Sequence, residues 1–220
     1  MEVSVTDIAR ARGVSARRVL QLIREGEIVA RQVGGRWLID ERELNRRPRL
    51  GRPMSTRMAW AFVSLLSGED PGGLDPAESA RLKARIAKLR DATEPAALLS
   101  SWLRARGDLQ KLRIPDLAIP ELAGDARLLL SGVSDPRSGL SATHQVEGYA
   151  RPEDVVGLER DHLLIPSIEP NVYLHIADVA LGPDVPLGLV IADLADHNGP
   201  REDAQVRRLL GAWPNPEQAD

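Results

Sequence analysis

The sequence predicts an α+β protein made of a small N-terminal helix-and-hairpin module, a helical middle segment and a C-terminal mixed α/β domain. Three observations carry this. Apolar residues at helical spacing, opened by capping residues or proline, dominate residues 5–24 and 56–106. After Gly107 the pattern changes to short apolar strand candidates alternating with helical stretches. Charge is divided as well: residues 1–57 hold 13 arginines and no lysine against 7 acids, a balance of +6, whereas the remaining 163 residues hold 16 basic and 25 acidic side chains, a balance of −9.

Composition narrows the classes. With 43% hydrophobic and 28% charged residues over 220 positions, the chain is expected to fold as a soluble protein of two or three modules. It contains no cysteine, which excludes a disulfide framework and any thiolate zinc site. The run "MAWAFVSLL" from Met58 to Leu66 falls far short of the roughly 20 residues that span a bilayer, and the N-terminus lacks a basic-then-apolar signal pattern. A cytoplasmic protein without a membrane partner is expected. Its cationic head attracts polyanions, nucleic acid foremost, although a solvated charged face has the same composition.

The first element is a short helix capped by Ser4 or Thr6, with Ile8 and Ala9 facing inward and Gly13 suited to the left-handed turn that follows. Ser15 opens a second helix. There Val19, Leu22 and Ile23 face the first helix, while Arg17, Arg18, Gln21 and Arg24 stay outside, and Gly26 ends it. Two short helices around a glycine turn form a helix-turn-helix, whose second helix can enter the DNA major groove. "EIVARQV" and "RWLID", joined by Gly34-Gly35, then read as a β-hairpin, because paired glycines accept the positive φ angles of a primed turn. This hairpin is the wing of a winged helix-turn-helix. Arg36 at the turn can reach a phosphate or the minor groove, Arg31 on the preceding strand is counted with the DNA-binding residues, and Trp37 packs the hairpin onto the helices or serves as core alone. Asp40 is expected to cap a third helix, "ERELNRR".

The order "DIARARGVSARRVLQLIREGEI…VGGRWLI" resembles the winged helix-turn-helix of the MerR and excisionase families. The residues carrying the likeness are Ala9, Gly13-Val14-Ser15, Arg17, the "REG" stop and the "GGRW" hairpin. The resemblance implies binding to double-stranded operator DNA, with or without inverted repeats, through groove contacts from Arg17, Arg18 and Gln21 and backbone contacts from the hairpin. MerR-type regulators usually continue into a long dimerisation helix. Here "RRPRLGRPMS" stands in that place.

Residues 1–47 are therefore assigned to the DNA-binding module and 48–57 to a basic linker. Arg46, Arg47, Arg49 and Arg52 are interleaved with Pro48, Gly51 and Pro53, an extended strand that either is solvated or lies in a narrow minor groove. "LGRP" resembles the core of an AT-hook without its first arginine. The DNA-binding set is thus Ser15, Arg17, Arg18, Gln21, Arg24, Arg31, Gly34, Gly35, Arg36, Arg47, Arg49 and Arg52.

Three helices are expected across the 58–106 segment and its entry, opened by Ser55, Asp75-Pro76 and Thr93. Residues 107–212 form the mixed domain, with strands in "LQKLRIP", "ARLLLSGVS", "QVEGYA" and "NVYLHIADV". Helices are expected in "RPEDVVGLERDHLL" and in the stretch from Pro186 to Trp213, broken near Gly199-Pro200. A tail, 213–220, follows. Residues 151–220 hold 13 acids against 5 arginines, which suits a basic protein partner or simply a solubilising surface. Residues 107–210 are similar to the C-terminal domain of AbiE-type antitoxins, on "DARLLLSGVSDPRSGLS", "VEGYARPEDVVGLERDHLLIPS", "NVYLHIADV" and "VIADLADHNGPREDAQVRRLL". That likeness implies a partner-binding role toward a nucleotidyltransferase toxin, coupled to autorepression.

Catalytic signals are weak. His144, His162, His175 and His197 show no metal-ligand spacing and are read as surface or satisfied structural side chains. Ser131 lacks a glycine-flanked nucleophile elbow, and Glu153, Asp154 and Asp161 form an ordinary acidic cluster. The expectation is a DNA-binding repressor and antitoxin, or an excisionase-like or architectural DNA-binding protein, in either case without enzymatic activity or cofactor.

Overall fold

The computed structural model describes residues 2–24, 28, 30–40, 52–177 and 181–212. The chain divides into two compact units, Met1–Pro48 and Arg49–Asp220.

The first unit runs β1 (Glu2–Ser4), α1 (Val5–Ala11), α2 (Ala16–Arg24), β2 (Ala30–Val33) and β3 (Arg36–Asp40). Its antiparallel sheet has the order β1-β3-β2, with Val3 and Ala30 both opposite Ile39. Ile39 is therefore the centre of the sheet. It is fully buried against Ile8, Val19, Leu22, Ile23 and Ile28, with Trp37 and Val3 half-buried at the edge. Strand β1 has no counterpart in the sequence reading, because "EVS" is too short to show alternation and becomes a strand only through β3.

The second unit opens with α3 (Thr56–Leu66), α4 (Pro76–Arg90) and α5 (Pro95–Trp102), then β4 (Asp108–Arg113), α6 (Ile119–Ala123) and β5 (Leu129–Leu130). It continues with β6 (Val146–Ala150), α7 (Pro152–Asp161), β7 (Ile165–Pro166), β8 (Val172–Ile176), α8 (Leu187–Asp196) and α9 (Pro200–Gly211). The sheet order is β5-β6-β8-β4-β7, and only the β6–β8 pair is parallel. Parallel neighbours need a crossover, and α7 supplies it.

Alternation along β6 and β8 sends their side chains into two different environments. Val146, Ala150, Val172 and Leu174 join Leu122, Leu128 and Leu158 in a core beneath α6 and α7. Tyr149 faces the opposite way, into a larger core built from α3, α4, α5, α8 and α9 that includes Phe62, Leu82, Leu99, Trp102, Val190 and Val206. The helices before Gly107 thus share one core with the last two helices. Met54, ahead of α3, is also buried there, and its N–H donates to the Trp102 carbonyl at 2.9 Å.

Local signals set most boundaries. Asp75 and Glu78 form a reciprocal capping box at α4, beside Pro76. Pro95 sits in the first turn of α5, so Glu94 takes the cap position expected of Thr93, and Ser55 precedes α3 without a capping hydrogen bond. The break between the last two helices falls at residues 197–199, where Asn198 takes φ +59°. The expected strand in "ARLLLSGVS" shrinks to Leu129–Leu130. It yields because side chains capture the next residues: Ser131 Oγ donates to Asp193, and Val133 N–H donates to Glu147 at 3.2 Å.

Helix α8 is apolar nearly all round and is the central helix of this unit. Asp193, inside it, is fully buried. Its carboxylate accepts from Arg106 Nη2 at 2.5 Å and Nε at 3.1 Å, from the Tyr149 hydroxyl at 3.1 Å, and from Ser131. Arg106 also reaches Asp196 at 2.6 Å and the Leu103 carbonyl at 3.2 Å. Removing one partner of such a pair strands a buried charge. Asp193→Ala is expected to lower the unfolding free energy by ~3–5 kcal/mol in urea titrations, with Asp196→Ala much milder because that carboxylate remains 27% exposed.

Candidate nucleic-acid interface

Ser4 ends β1 and caps α1: its hydroxyl accepts from Asp7 N–H at 3.2 Å, while the Asp7 carboxylate accepts from Ser4 N–H at 3.0 Å. Hydrogen bonds from the Ser4 hydroxyl and backbone hold the Asp7 carboxyl below its ordinary pKa. The helix ends at Ala11, the turn after it passes through Gly13 at φ +61°, and Val14 N–H closes back on the Ala9 carbonyl at 3.0 Å. Ser15 Oγ then accepts from Arg18 N–H at 3.3 Å and opens α2.

Helix α2 buries Val19, Leu22 and Ile23, one stripe at helical spacing. Arg17, Arg18, Gln21 and Arg24 all lie on its exposed side, and the helix contains no acid. An exposed face of this kind offers guanidinium and amide groups for phosphates and base edges.

The hairpin follows. Val33 pairs with Arg36 around Gly34 and Gly35, whose φ angles of +56° and +77° are those of a type I′ turn. Residues with a Cβ are strained at both positions, so the tight turn depends on the glycine pair. It holds Arg36 exposed at the tip, while Trp37 packs half-buried on the unit's core. Arg31, on β2, is paired with Glu2 at 2.7 Å; both side chains remain well exposed, so the pair is weak enough for a phosphate to compete.

Of the sequence-derived set, the first unit therefore places Ser15, Arg17, Arg18, Gln21 and Arg24 on or at the start of α2, and Arg31, Gly34, Gly35 and Arg36 on the hairpin. Arg47, Arg49 and the third helix expected after Asp40 lie outside the described residues. Arg52 is exposed and belongs to the second unit.

Two of the four histidines converge in a way no spacing rule shows. His175 on β8 and His197 after α8 meet the two carboxylate oxygens of Glu147 on β6, at 3.0 and 2.7 Å. His175 also stacks on Tyr149, with ring centroids 4.7 Å apart. His162 bonds Asp125 at 2.8 Å, and His144 is exposed. The available signal was subtler than a motif: Glu147 and Asp193 are acids inside otherwise apolar segments, and His175 alternates with the apolar Val172–Leu174 face. One atom each from Glu147, His175 and Asp193 lie within 4.8 Å of one another, a spacing that could hold a metal ion. Arg106, however, already donates twice to the Asp193 oxygen nearest His175, and its charge opposes a cation there.

Burial works against the charged imidazoles, but Asp193 and Glu147 outweigh it for His175, and Glu147 does so for His197, so both pKa values rise. Burial likewise opposes Glu147 ionisation, yet His197 and His175 hold its pKa well below the carboxylate range. The histidine contribution to stability is complete below the ordinary histidine pKa of 6.5 and is lost as pH rises through the raised folded values. The Glu147 contribution is present above the usual carboxylate range and is lost in acid. The urea midpoint is thus expected to decline on the alkaline side, and His197→Gln should flatten that decline when midpoints are compared between about pH 6 and pH 9.

Residues 2–47 match the family model described as a helix-turn-helix domain, of excisionase-like type. No curated protein and no solved structure matches the chain. Among the described residues, no helix is long and apolar enough to cross a membrane. The first unit is a helix-turn-helix domain, the regulatory DNA-binding type.

Proposed function

We propose that the chain is a transcriptional autorepressor serving as the antitoxin of a bacterial toxin-antitoxin pair, the first unit on operator DNA and the second on a protein toxin. The observation that carries the DNA-binding part is the acid-free exposed face of α2, set in a helix-turn-helix unit whose hairpin presents Arg36. In this reading the hairpin is a wing, anchoring the phosphate backbone while Arg17, Arg18 and Gln21 read the groove. The antitoxin part is supported by the acidic balance of residues 151–220 and by the resemblance of residues 107–210 to AbiE-type antitoxins, which points to a nucleotidyltransferase toxin.

A second reading, an excisionase-like or architectural protein of a mobile element, is favoured by the excisionase-like character of the matched family. Partner and DNA tests separate the two. The antitoxin should form a complex with the product of an adjacent gene and restore growth when co-expressed with it, including as the full-length Arg17→Ala/Arg18→Ala variant. Absence of complex and of rescue, with DNA binding intact, transfers support to the excisionase-like reading.

On DNA, Arg17→Ala or Arg18→Ala in the full chain should cost about 1–3 kcal/mol on the preferred site and less on random duplex. Arg36→Ala should weaken all sequences alike and lower the slope of log K against log salt by about one. Fluorescence anisotropy over a salt series measures both, and equal losses on both duplexes for Arg17 and Arg18 would make α2 an anchor instead of a reader.

A further inference from the structure

The acidic second unit carries a local exception to its own charge. Helix α4 has Arg81, Lys83, Arg85, Lys88 and Arg90, and no acid from Ser79 to Arg90. Two of the three lysines of the chain are in this one helix. Its single acid, Glu78, is in the first turn, where it completes the capping box and pairs with Arg57.

Helical geometry arranges these charges. Leu82 and Leu89 are buried and Ile86 half-buried, which fixes the inner side. Arg81, Arg85 and Lys88, at i, i+4 and i+7, flank it on one side, and Lys83 and Arg90, at i and i+7, on the other. The outermost face between the two rows consists of Ala77, Ala80, Ala84 and Ala87, all exposed. Arg81 Nε donates to the Ala77 carbonyl at 3.2 Å, which lays that side chain along the helix, while the half-buried Arg85 is held over the Trp102 ring of α5 at 4.9 Å.

An isolated solvated helix gains from alternating signs at i, i+4, whereas like charges at that spacing disfavour it. Here Arg81 and Arg85 are such a pair, and Glu78, one turn before Arg81, is already engaged in the cap and with Arg57. A polyanion offsets the like charges. A helix with its side chains is about 10–12 Å across and the major groove is about 12 Å wide, so a helix leading with alanines and carrying a cationic row on each flank matches the two phosphate walls of duplex DNA. Alanine presents no hydrogen-bonding group to base edges, so this contact carries no donor–acceptor readout and tolerates many sequences.

We propose that α4 is a second, sequence-tolerant DNA-binding element, which grips the duplex backbone while the helix-turn-helix selects the site. It rests on DNA binding by the first unit, because covalent linkage keeps that duplex at high effective concentration for α4.

The test uses the full chain carrying Arg81→Ala, Lys83→Ala and Lys88→Ala, changes that retain helix propensity and leave the buried leucines in place. Circular dichroism and thermal melting establish that the variant is folded. Anisotropy titrations against the preferred site and a random duplex over a salt series should then show the log–log salt slope reduced by about two to three, because each phosphate that a cation no longer neutralises takes about 0.9 from it. The weakening should be equal on the two duplexes, and Lys83→Arg/Lys88→Arg should bind as the parent does. An unchanged slope in the folded triple variant, with Arg17→Ala/Arg18→Ala still impairing the preferred site, overturns the α4 proposal and leaves the helix-turn-helix reading intact. If neither variant changes binding, both fall. A parent that self-associates in light scattering, and a triple variant that does not while binding DNA unchanged, would make the patch a contact for the acidic surface of a second copy, which also overturns the proposal.

Discussion

The second unit depends on one carboxylate in the wrong solvent. Asp193 sits in the middle of α8, a helix otherwise fit for an apolar core, and it is tolerated because Arg106, Tyr149 and Ser131 saturate it. Each donor comes from a different part of the chain: the turn after α5, strand β6, and the end of β5. The bond set therefore specifies how the helical half and the sheet must meet. A greasy contact of the same area would hold them but would allow sliding.

The parallel register of β6 and β8 extends that constraint. Tyr149 is opposite His175, and Glu147 is opposite Tyr173, so the sheet face toward α8 becomes a continuous polar line. Glu147 is held there by two imidazoles and by the Val133 amide. The first unit is built on the opposite principle. Among its described residues the centre is a small apolar cluster around Ile39, and Arg17, Arg18, Arg24 and Arg36 lie on the exposed surface.

The contrast explains what could be read from the sequence. Helices α1 and α2, the glycine hairpin, the cap at Asp75 and the break before Pro200 are set by neighbours within a few residues, so local chemistry reveals them. Strand β1 is invisible because it exists only as a partner of β3. The short β7 is of the same kind, an "IP" pair recruited by β4. The Glu147–His175–His197 group and the Arg106–Asp193 pair join residues 28 to 87 positions apart, and no periodicity encodes which of them will meet. For the interface, the arginine face of α2 was legible because amphipathicity alone determines which side is wet. The pairing of Arg31 with Glu2 was not, since it depends on the strand order β1-β3-β2.

The near-complete burial of α8 has a consequence for synthesis. The ribosome delivers residues 187–196 late, after every strand of the second unit, and until then Arg106 has no carboxylate and Phe62 and Trp102 have no central helix to cover them. The first unit has an apolar cluster of its own, and its residues are made before those of the second. Vectorial folding therefore separates the two halves in time. On a nascent chain the first unit is therefore expected to close its core while the second still exposes apolar surface that α8 later covers.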